Sequence, residues 1–278
     1  MLAGVGANAS LIAETIASRR NPLVARCRAI ARGDAPEALL LDGQHLIDEA
    51  RHAHLPLSVV AIESRLLDDP SSEAAALARQ LSRADTRLLR VTSEVMAALS
   101  PSRQPSGLVA VGSRPVHDLA AILAGRSLIL VAVDVQDPGN LGAMIRVAHA
   151  ARADACLVCG AAADPYGWKA LRGSMGSAFH LPVVRVPDTR EALAALDAHG
   201  IRSVATVPHG APSLYDVNLD PPLAVLIGSE GQGLTQEVLE RVDARLSIPM
   251  AAGVNSLNVA ATASVVAYEL VRRRDVPR

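Results

Sequence analysis

Aliphatic segments in the second half of this 278-residue chain end directly in loops of glycine and polar residues. The loops are Asp134–Gly142, Gly228–Leu234 and Ile248–Asn258. A long aliphatic run precedes each of the first two, at residues 127–133 and 223–227, and a short aliphatic run precedes the third. Such long runs are typical of parallel strands buried on both faces of a sheet. Because ligands of an α/β sheet bind beyond the carboxyl ends of its strands, the three loops predict a single site at that edge.

The order of elements predicts two α/β units. Strands alternate with helices along the whole chain, which favours an α/β fold with a mostly parallel sheet. The pattern predicts a small unit over residues 17–112 and a larger one over 126–278. Residues 1–16 form an N-terminal extension, frayed or a short helix, and residues 113–125 form a linker that finishes in a short helix.

Positive charge comes almost entirely from arginine, since Lys169 is the single lysine, and the formal net charge is −1. Arginine can bind phosphate in a bidentate way. The N-terminal part of the chain holds a cluster made up of Arg19, Arg20, Arg26, Arg28 and Arg32. A solvated helix face and a contact to an RNA backbone both fit this cluster. Aromatic residues make up only 2%, so phosphate and ribose contacts, and not base stacking, are expected if RNA binds.

The cysteines predict neither a disulfide scaffold nor a metal site. Cys156 and Cys159 form a CxxC pair inside an aliphatic segment, and no second pair completes a zinc site, so we expect core thiols. The first residues lack the charged region of a signal peptide and include Glu14. No apolar run approaches the roughly 20 residues of a membrane helix. A cytoplasmic protein is expected.

The first loop predicts a helix start and an unusual arginine. Asp137–Gly139 is expected to be a turn and Asn140 the N-cap of a helix from Leu141 to Arg152. Arg146 stands among apolar residues of that helix and looks buried, so it needs an anionic or polar partner. A structural salt bridge and a phosphate or ribose contact both satisfy that need.

The second and third loops supply further polar groups. Glu230, between glycines, is the predicted partner of Arg146. Ser256 and Asn258 lie at the start of a final helix, Leu257–Arg274, which is apolar nearly all round and therefore predicted to be buried. The simplest role of Asn258 is a helix cap. The loops lack both the dinucleotide fingerprint and the Lys-Ser/Thr pair of a phosphate-binding loop, which disfavours a dehydrogenase and triphosphate binding.

Together the loops resemble motifs 1, 2 and 3 of the SpoU (TrmH) family of RNA ribose 2′-O-methyltransferases, in the SPOUT superfamily. The matching segments are Asn140–Arg146, Ile227–Leu234, and Ile248–Met250 with Ser256–Val259, and Leu171–Pro182 resembles the connecting segment. Segments similar to the family's substrate-binding domain are Ser18–Pro22, Leu39–His45 and Pro105–Gly107. Asp42 departs from the pattern, because the family more often has glutamate there.

The resemblance implies a fold, a cofactor and residue roles. The fold is a C-terminal trefoil-knotted SPOUT domain, a rare exception to unknotted topology, after a small α/β domain similar to ribosomal protein L30e. A homodimer through the knotted domain and S-adenosylmethionine are implied, with no metal. The implied cofactor-binding residues are Thr206, Val207, Gly228, Ile248 and Leu257. The implied catalytic residues are Asn140, Arg146, Glu230, Ser256 and Asn258. The implied RNA-binding residues are Arg19, Arg20, Arg26, Arg28, Arg103 and Gln104.

The expected reaction is methyl transfer to a ribose 2′-hydroxyl. The expected substrate is 23S-type ribosomal RNA, and the alternative substrate is transfer RNA. A guanidinium pKa above about 12 makes Arg146 a poor base, so we expect Arg146, held by Glu230, to orient the hydroxyl electrostatically. A non-catalytic RNA-binding protein and a base methyltransferase are two further candidate functions. A methyl-transfer assay with analysis of the product separates them.

Overall fold

The computed structural model describes residues 14–69, 71–82, 86–125 and 128–275. The chain divides into two compact units. Of the described residues, the first unit contains those up to 115 together with 166–172, and the second contains those of 116–165 and from 173 onward. Most of the predicted N-terminal extension lies outside the described residues.

The first unit is built on a five-stranded mixed sheet. Its strands are β1 Glu14–Ile16, β2 Ala38–Asp42, β3 Leu57–Glu63, β4 Arg87–Val91 and β5 Leu108–Ser113. Its helices are α1 Pro22–Arg32, α2 Gln44–His52, α3 Ser64–Leu67, α4 Glu73–Leu81 and α5 Ser93–Leu99. The strand order is β1-β4-β3-β5-β2. β4 pairs parallel with β1 and β3, and β5 pairs antiparallel with β3 and β2.

Side-chain caps start α4 and α5. Ser72 accepts a hydrogen bond from the backbone of Ala75 and caps α4. Thr92 caps α5 in the same way, by accepting a hydrogen bond from the backbone of Val95. The expectation of a frayed or helical segment is wrong for residues 14–16: they form β1, because backbone pairing with β4 buries Ile16.

The second unit is built on a six-stranded sheet in which every pair is parallel, which confirms the α/β expectation. Its strands are β6 Leu128–Val133, β7 Ala155–Cys159, β8 Val183–Val186, β9 Arg202–Thr206, β10 Leu223–Ile227 and β11 Ala244–Leu246. The helices after α5 are α6 Leu119–Leu123, α7 Pro138–Ala150, α8 Trp168–Ser174, α9 Thr189–Ala198, α10 Gln236–Arg241 and α11 Val259–Asp275. The order is β11-β9-β10-β6-β7-β8.

The centre of this sheet brings the first two loops together. β6 and β10 are neighbours, and every residue of both is buried, as their aliphatic runs predict. Ile227 pairs with Ala132, so both strands end at the same edge and their loops leave it side by side. The short helix α6, predicted within the linker, buries Ile122 and Leu123 in the core of this unit.

Cys156 and Cys159 are fully buried, as predicted for core thiols. Burial raises the pKa of each thiol to about 12. The expectation of a fully buried final helix is wrong for a single chain, because Tyr268 on α11 is 53% exposed. None of the helices described combines the length and the apolar character needed to cross a membrane.

Candidate active site

A cavity of about 640 Å³ lies where the loops after β9, β10 and β11 meet. Its volume is within the roughly 300–1,000 Å³ of small-molecule sites. We call it the first cavity. Among its lining residues are all of the residues expected to bind the cofactor: Thr206, Val207, Gly228, Ile248 and Leu257. Glu230, Ser256 and Asn258 also line it. The structure therefore gathers at one place residues that are far apart in the sequence.

The backbone of the second loop folds tightly onto itself. A Cβ on Gly228 would lie 2.6 Å from the carbonyl oxygen of Gly233, so a side chain has no room there. Gly231 and Gly233 have positive φ angles of 91° and 66°, which favour glycine. The backbone N–H of Gly233 donates a 3.0 Å hydrogen bond to the carbonyl of Ser229 and closes the turn. These glycines let the main chain itself form the cavity wall.

A hydrogen-bonded group joins the three loops. Asn140 and Asn258 each donate an amide hydrogen bond of 2.7 Å to the same oxygen of Glu230, Oε1. The amide of Asn258 also lies 3.1 Å from the amide oxygen of Asn140. Three of the residues implied as catalytic are thus in direct contact.

Asn258 has two roles in the structure. Its Oδ1 accepts hydrogen bonds from the backbone N–H groups of Ala260 and Ala261 at the start of α11. The predicted cap is therefore present, and the Nδ2 of the same amide reaches Glu230. Capping fixes the amide plane, and this aims its donor at the carboxylate.

The predicted start of α7 is wrong. The helix begins at Pro138, and Asp137 is the N-cap, accepting a 2.8 Å hydrogen bond from the backbone of Asn140. Aspartate followed by proline is itself a helix-start signal, since proline fits the first helical position. Because Asn140 lies inside the first turn, its amide is available to Glu230.

Arg146 is neither buried nor paired with Glu230. Its side chain is exposed, and among the described residues of one chain it forms no hydrogen bond or ion pair with Glu230. α7 buries Met144, Ile145 and Ala148. Neighbours in sequence are not neighbours on a helix surface, so apolar residues on both sides of Arg146 do not bury it.

The residues expected to contact RNA are all exposed. Arg26 and Arg28 lie two positions apart on α1, which places them on different sides of the helix. Arg32 pairs with Asp34 at 2.9 Å, so the solvated-face interpretation fits it.

Arg103 and Gln104 belong to a loop that Asp42 holds in place. Ser100 donates a 2.8 Å hydrogen bond to one oxygen of Asp42, and Ser106 donates a 3.4 Å bond to the other. The aspartate that replaces the family's usual glutamate thus anchors both ends of this loop.

A second cavity of about 660 Å³ also has residues of the Glu230 loop in its lining. Asp134 and Asp137 line it together with Glu230 and Asn140. Neither aspartate was predicted to be a site residue. A signal was available, because both closely follow the aliphatic run of β6, where parallel sheets place their ligands.

Comparison with known proteins matches residues 127–268 to the model of the SpoU rRNA Methylase family. The 23S rRNA (uridine(2479)-2′-O)-methyltransferase of Streptomyces viridochromogenes is 36% identical over 70% of this chain and 74% of its own. The 23S rRNA (guanosine(2553)-2′-O)-methyltransferase RlmP of Bacillus subtilis is 30% identical over 83% of this chain and 87% of its own. The crystal structure of the SpoU methyltransferase AviRb from Streptomyces viridochromogenes, in complex with AdoMet, superposes with a TM-score of 0.83 at 30% identity, covering 93% of this chain and 100% of that one. With its sequence, its fold and the three joined loops all in agreement, this chain belongs to the SpoU rRNA methylase family.

Proposed function

We propose that this protein transfers a methyl group from S-adenosylmethionine to a ribose 2′-hydroxyl of 23S-type ribosomal RNA. The observation that carries the proposal is the carboxylate of Glu230, held by Asn140 and Asn258 at the edge of the first cavity. The activities named for the two relatives, both 23S rRNA 2′-O-methyltransferases, support it. A ribosomal substrate favours a cytoplasmic location.

The first cavity fits S-adenosylmethionine. Gly228 and Gly233 bring backbone to its wall, where a side chain at Gly228 would collide with the main chain. Ile248 and Leu257 add apolar surface, and Thr206 and Val207 line the side next to β9. Backbone groups together with apolar walls suit an adenosine, which needs orienting hydrogen bonds as well as burial. When bound, the cofactor supplies an electrophilic methyl group.

Glu230 is suited to orient the acceptor hydroxyl. Its Oε1 is occupied by the amides of Asn140 and Asn258, and its Oε2 accepts no hydrogen bond from the described residues. A ribose hydroxyl is a weak nucleophile that must lose its proton as it attacks. Oε2 would accept the hydrogen bond of that hydroxyl, and Ser256 on the same cavity wall would make a further polar contact.

Arg146 takes its role in a dimer. We propose a homodimer through the exposed surfaces of α7 and α11, which pack against each other and carry the exposed Arg146 and the 53% exposed Tyr268. Assembly, and not the folding of one chain, would then bring the guanidinium to the site. There it would stabilise negative charge that develops on the hydroxyl oxygen.

The second unit is proposed to be trefoil-knotted and the first to be an L30e-like RNA-binding domain. For the knot, the support is the match of residues 127–268 to the SpoU family, since the resemblance to that family implies a knotted fold. For RNA binding, the support is the exposed arginines near α1 and the loop with Arg103 and Gln104. In this proposal residues 17–112 bind RNA and residues 126–278 carry the methyl transfer.

The proposal is tested with purified protein, radiolabelled S-adenosylmethionine and two RNA pools, deproteinised 23S ribosomal RNA and transfer RNA. The RNA is digested to nucleosides and the label is located by chromatography. We expect a 2′-O-methyl nucleoside from 23S RNA and a large loss of incorporation with Glu230→Gln. Label in a base, label only in transfer RNA, or no incorporation would each contradict the proposal.

A further inference from the structure

The segment Tyr166–Arg172 lies between β7 and β8 in the sequence, but it folds as part of the first unit. We call it the inserted segment. The guanidinium of Arg114 lies 4.8 Å from the centre of the Tyr166 ring, within the range of a cation–π interaction. Nη1 of Arg172 donates a 3.2 Å hydrogen bond to Oγ of Ser102. Chain from outside residues 17–112 therefore belongs to the unit for which RNA binding is proposed.

Ser102 is a central residue of the loop that carries Arg103 and Gln104. Its backbone N–H donates a 3.0 Å hydrogen bond to Oγ of Ser100, and its own Oγ accepts a 3.4 Å hydrogen bond from the backbone N–H of Gln104. The bond from Arg172 reaches this same oxygen. The inserted segment thus helps to hold the loop in place.

Two cations of the inserted segment share one face of α8. Lys169 and Arg172 are three positions apart on this helix, so their side chains are neighbours. Both are exposed, and the ammonium of Lys169 lies 5.5 Å from the centre of the half-buried Trp168 ring. Arg103 is also exposed and directly follows the serine that Arg172 binds. Three positive charges are therefore close to one another on the surface of the first unit.

These three charges are not neutralised by acidic side chains. Within residues 14–69, 71–82, 86–125 and 128–275, none of the three forms an ion pair. Other arginines of the same unit do pair with carboxylates at 2.7–2.9 Å, namely Arg51, Arg65 and Arg90. A cation that has no carboxylate partner is available to a phosphate, whose charge it can neutralise.

We propose that the inserted segment and the Ser102 loop together bind the phosphate backbone of the RNA substrate. Arg172 uses Nη1 to hold the loop, and its remaining N–H groups face a phosphate, which the planar guanidinium suits. Lys169, on the same helix face, contacts a neighbouring phosphate as a point charge. The inference rests on the proposed function and adds to it an RNA-binding element from the second half of the sequence.

Lys169 is the single lysine of the chain, so chemical modification of lysine reports on this surface. The full-length protein is acetylated with an N-hydroxysuccinimide ester, with and without deproteinised 23S RNA. Mass spectrometry then quantifies the modified peptide that contains Lys169. We expect labelling of Lys169 to fall several-fold when RNA is bound at low salt and to recover when high salt dissociates the complex.

Variants test the same contacts by filter binding to 23S RNA over a range of salt. Lys169→Ala and Arg172→Ala should each raise the Kd several-fold and lower the slope of log K against log salt by about 0.7 to 0.9. Arg172→Lys keeps the charge and should restore the slope. Arg190→Ala is the matched control, because it removes an exposed arginine that already binds the carboxylate of Asp188, and it should leave the slope unchanged.

Two results would overturn the assignment: equal labelling of Lys169 in free and RNA-bound protein, or a wild-type salt slope for either alanine variant. Thermal melting verifies folding, and if Arg172→Ala is unfolded, Lys169→Ala and the labelling of the wild type decide. Both measurements report binding and need no methyl transfer. RNA that protects Lys169 but acquires no 2′-O-methyl group would therefore refute the proposed function and leave this surface intact, whereas a protein that binds no 23S RNA would refute both.

Discussion

The amide of Asn258 donates a 2.7 Å hydrogen bond to Glu230, and its oxygen caps α11. One side chain therefore ties the position of the proposed catalytic carboxylate to the start of a helix. The two roles use different atoms, so substitution can separate them.

Asn258→Asp should reduce activity with little effect on stability. Aspartate caps a helix as well as asparagine does, but it replaces the donor to Glu230 with a second negative charge. We expect kcat to fall about 10- to 100-fold, the range for loss of a hydrogen bond to a charged group. Asn258→Ala is the comparison, since it also removes the cap and should cost about 1 kcal/mol in the free energy of unfolding. If both variants lowered the melting temperature by the same amount, the capping role and the Glu230 role of Asn258 would not be separable.

Gly228→Ala should weaken cofactor binding. The added Cβ would lie 2.6 Å from the carbonyl oxygen of Gly233, so the loop must move away from the first cavity. Titration calorimetry with S-adenosylmethionine should give at least a tenfold higher Kd. Gly231→Ala is the control for backbone strain, because Gly231 has a φ of 91° but no described atom near an added Cβ. Similar Kd values for the two variants would argue against the steric explanation.

Tyr268→Glu should convert a dimer to a monomer. Tyr268 is 53% exposed on a helix whose sequence is apolar nearly all round, which is typical of a face that a second copy covers. Light scattering coupled to gel filtration should report half the wild-type mass. Val116→Glu adds the same charge at a residue that is 93% exposed in the segment before α6, and should leave the mass unchanged. A monomeric wild-type protein would refute the proposal.

Changing Arg26 and Arg28 together to alanine should reduce the salt dependence of RNA binding. Removing one phosphate contact lowers the slope of log K against log salt by about 0.7 to 0.9. Filter binding to 23S RNA between low and moderate salt measures that slope. Arg32→Ala serves as the control, since Arg32 is already paired with Asp34. An unchanged slope in the double variant would show that these two arginines do not contact the RNA phosphates.

Acid should destabilise the second unit through Glu269. Hydrogen bonds from Arg272 and Arg273 lower the pKa of this buried carboxyl to about 2. Because the pKa of Glu269 is lower in the folded than in the unfolded chain, the ionised carboxyl stabilises the fold at any pH above its unfolded pKa, near 4.5. This stabilisation is lost as the pH falls from there to the folded pKa of about 2. Glu269→Gln should therefore melt earlier at pH 7 and lose less stability between pH 5 and 2. Glu240→Gln, on the exposed side of α10, should follow the wild type.

The fold and the convergence of the loops were predictable from sequence because they depend on local patterns. The aliphatic runs of β6 and β10 identify buried parallel strands, and parallel strands end at one edge. The partners of individual side chains were not predictable. Glu230 binds two amides and not Arg146, since pairing depends on which side of α7 faces the loop. A shift of the helix start from Leu141 to Pro138 was enough to change the role of Asn140.

The contacts at the two ends of α11 determine when the cluster around Glu230 can form as the chain is synthesised. Asn258 at its start completes the cluster with Glu230, and Arg274 at its end donates to the carbonyl of Ala151, just after α7. A nascent chain that has already exposed the first two motifs still lacks the amide that holds the carboxylate. The proposed catalytic carboxylate is therefore held in place only after α11 has been made and has folded.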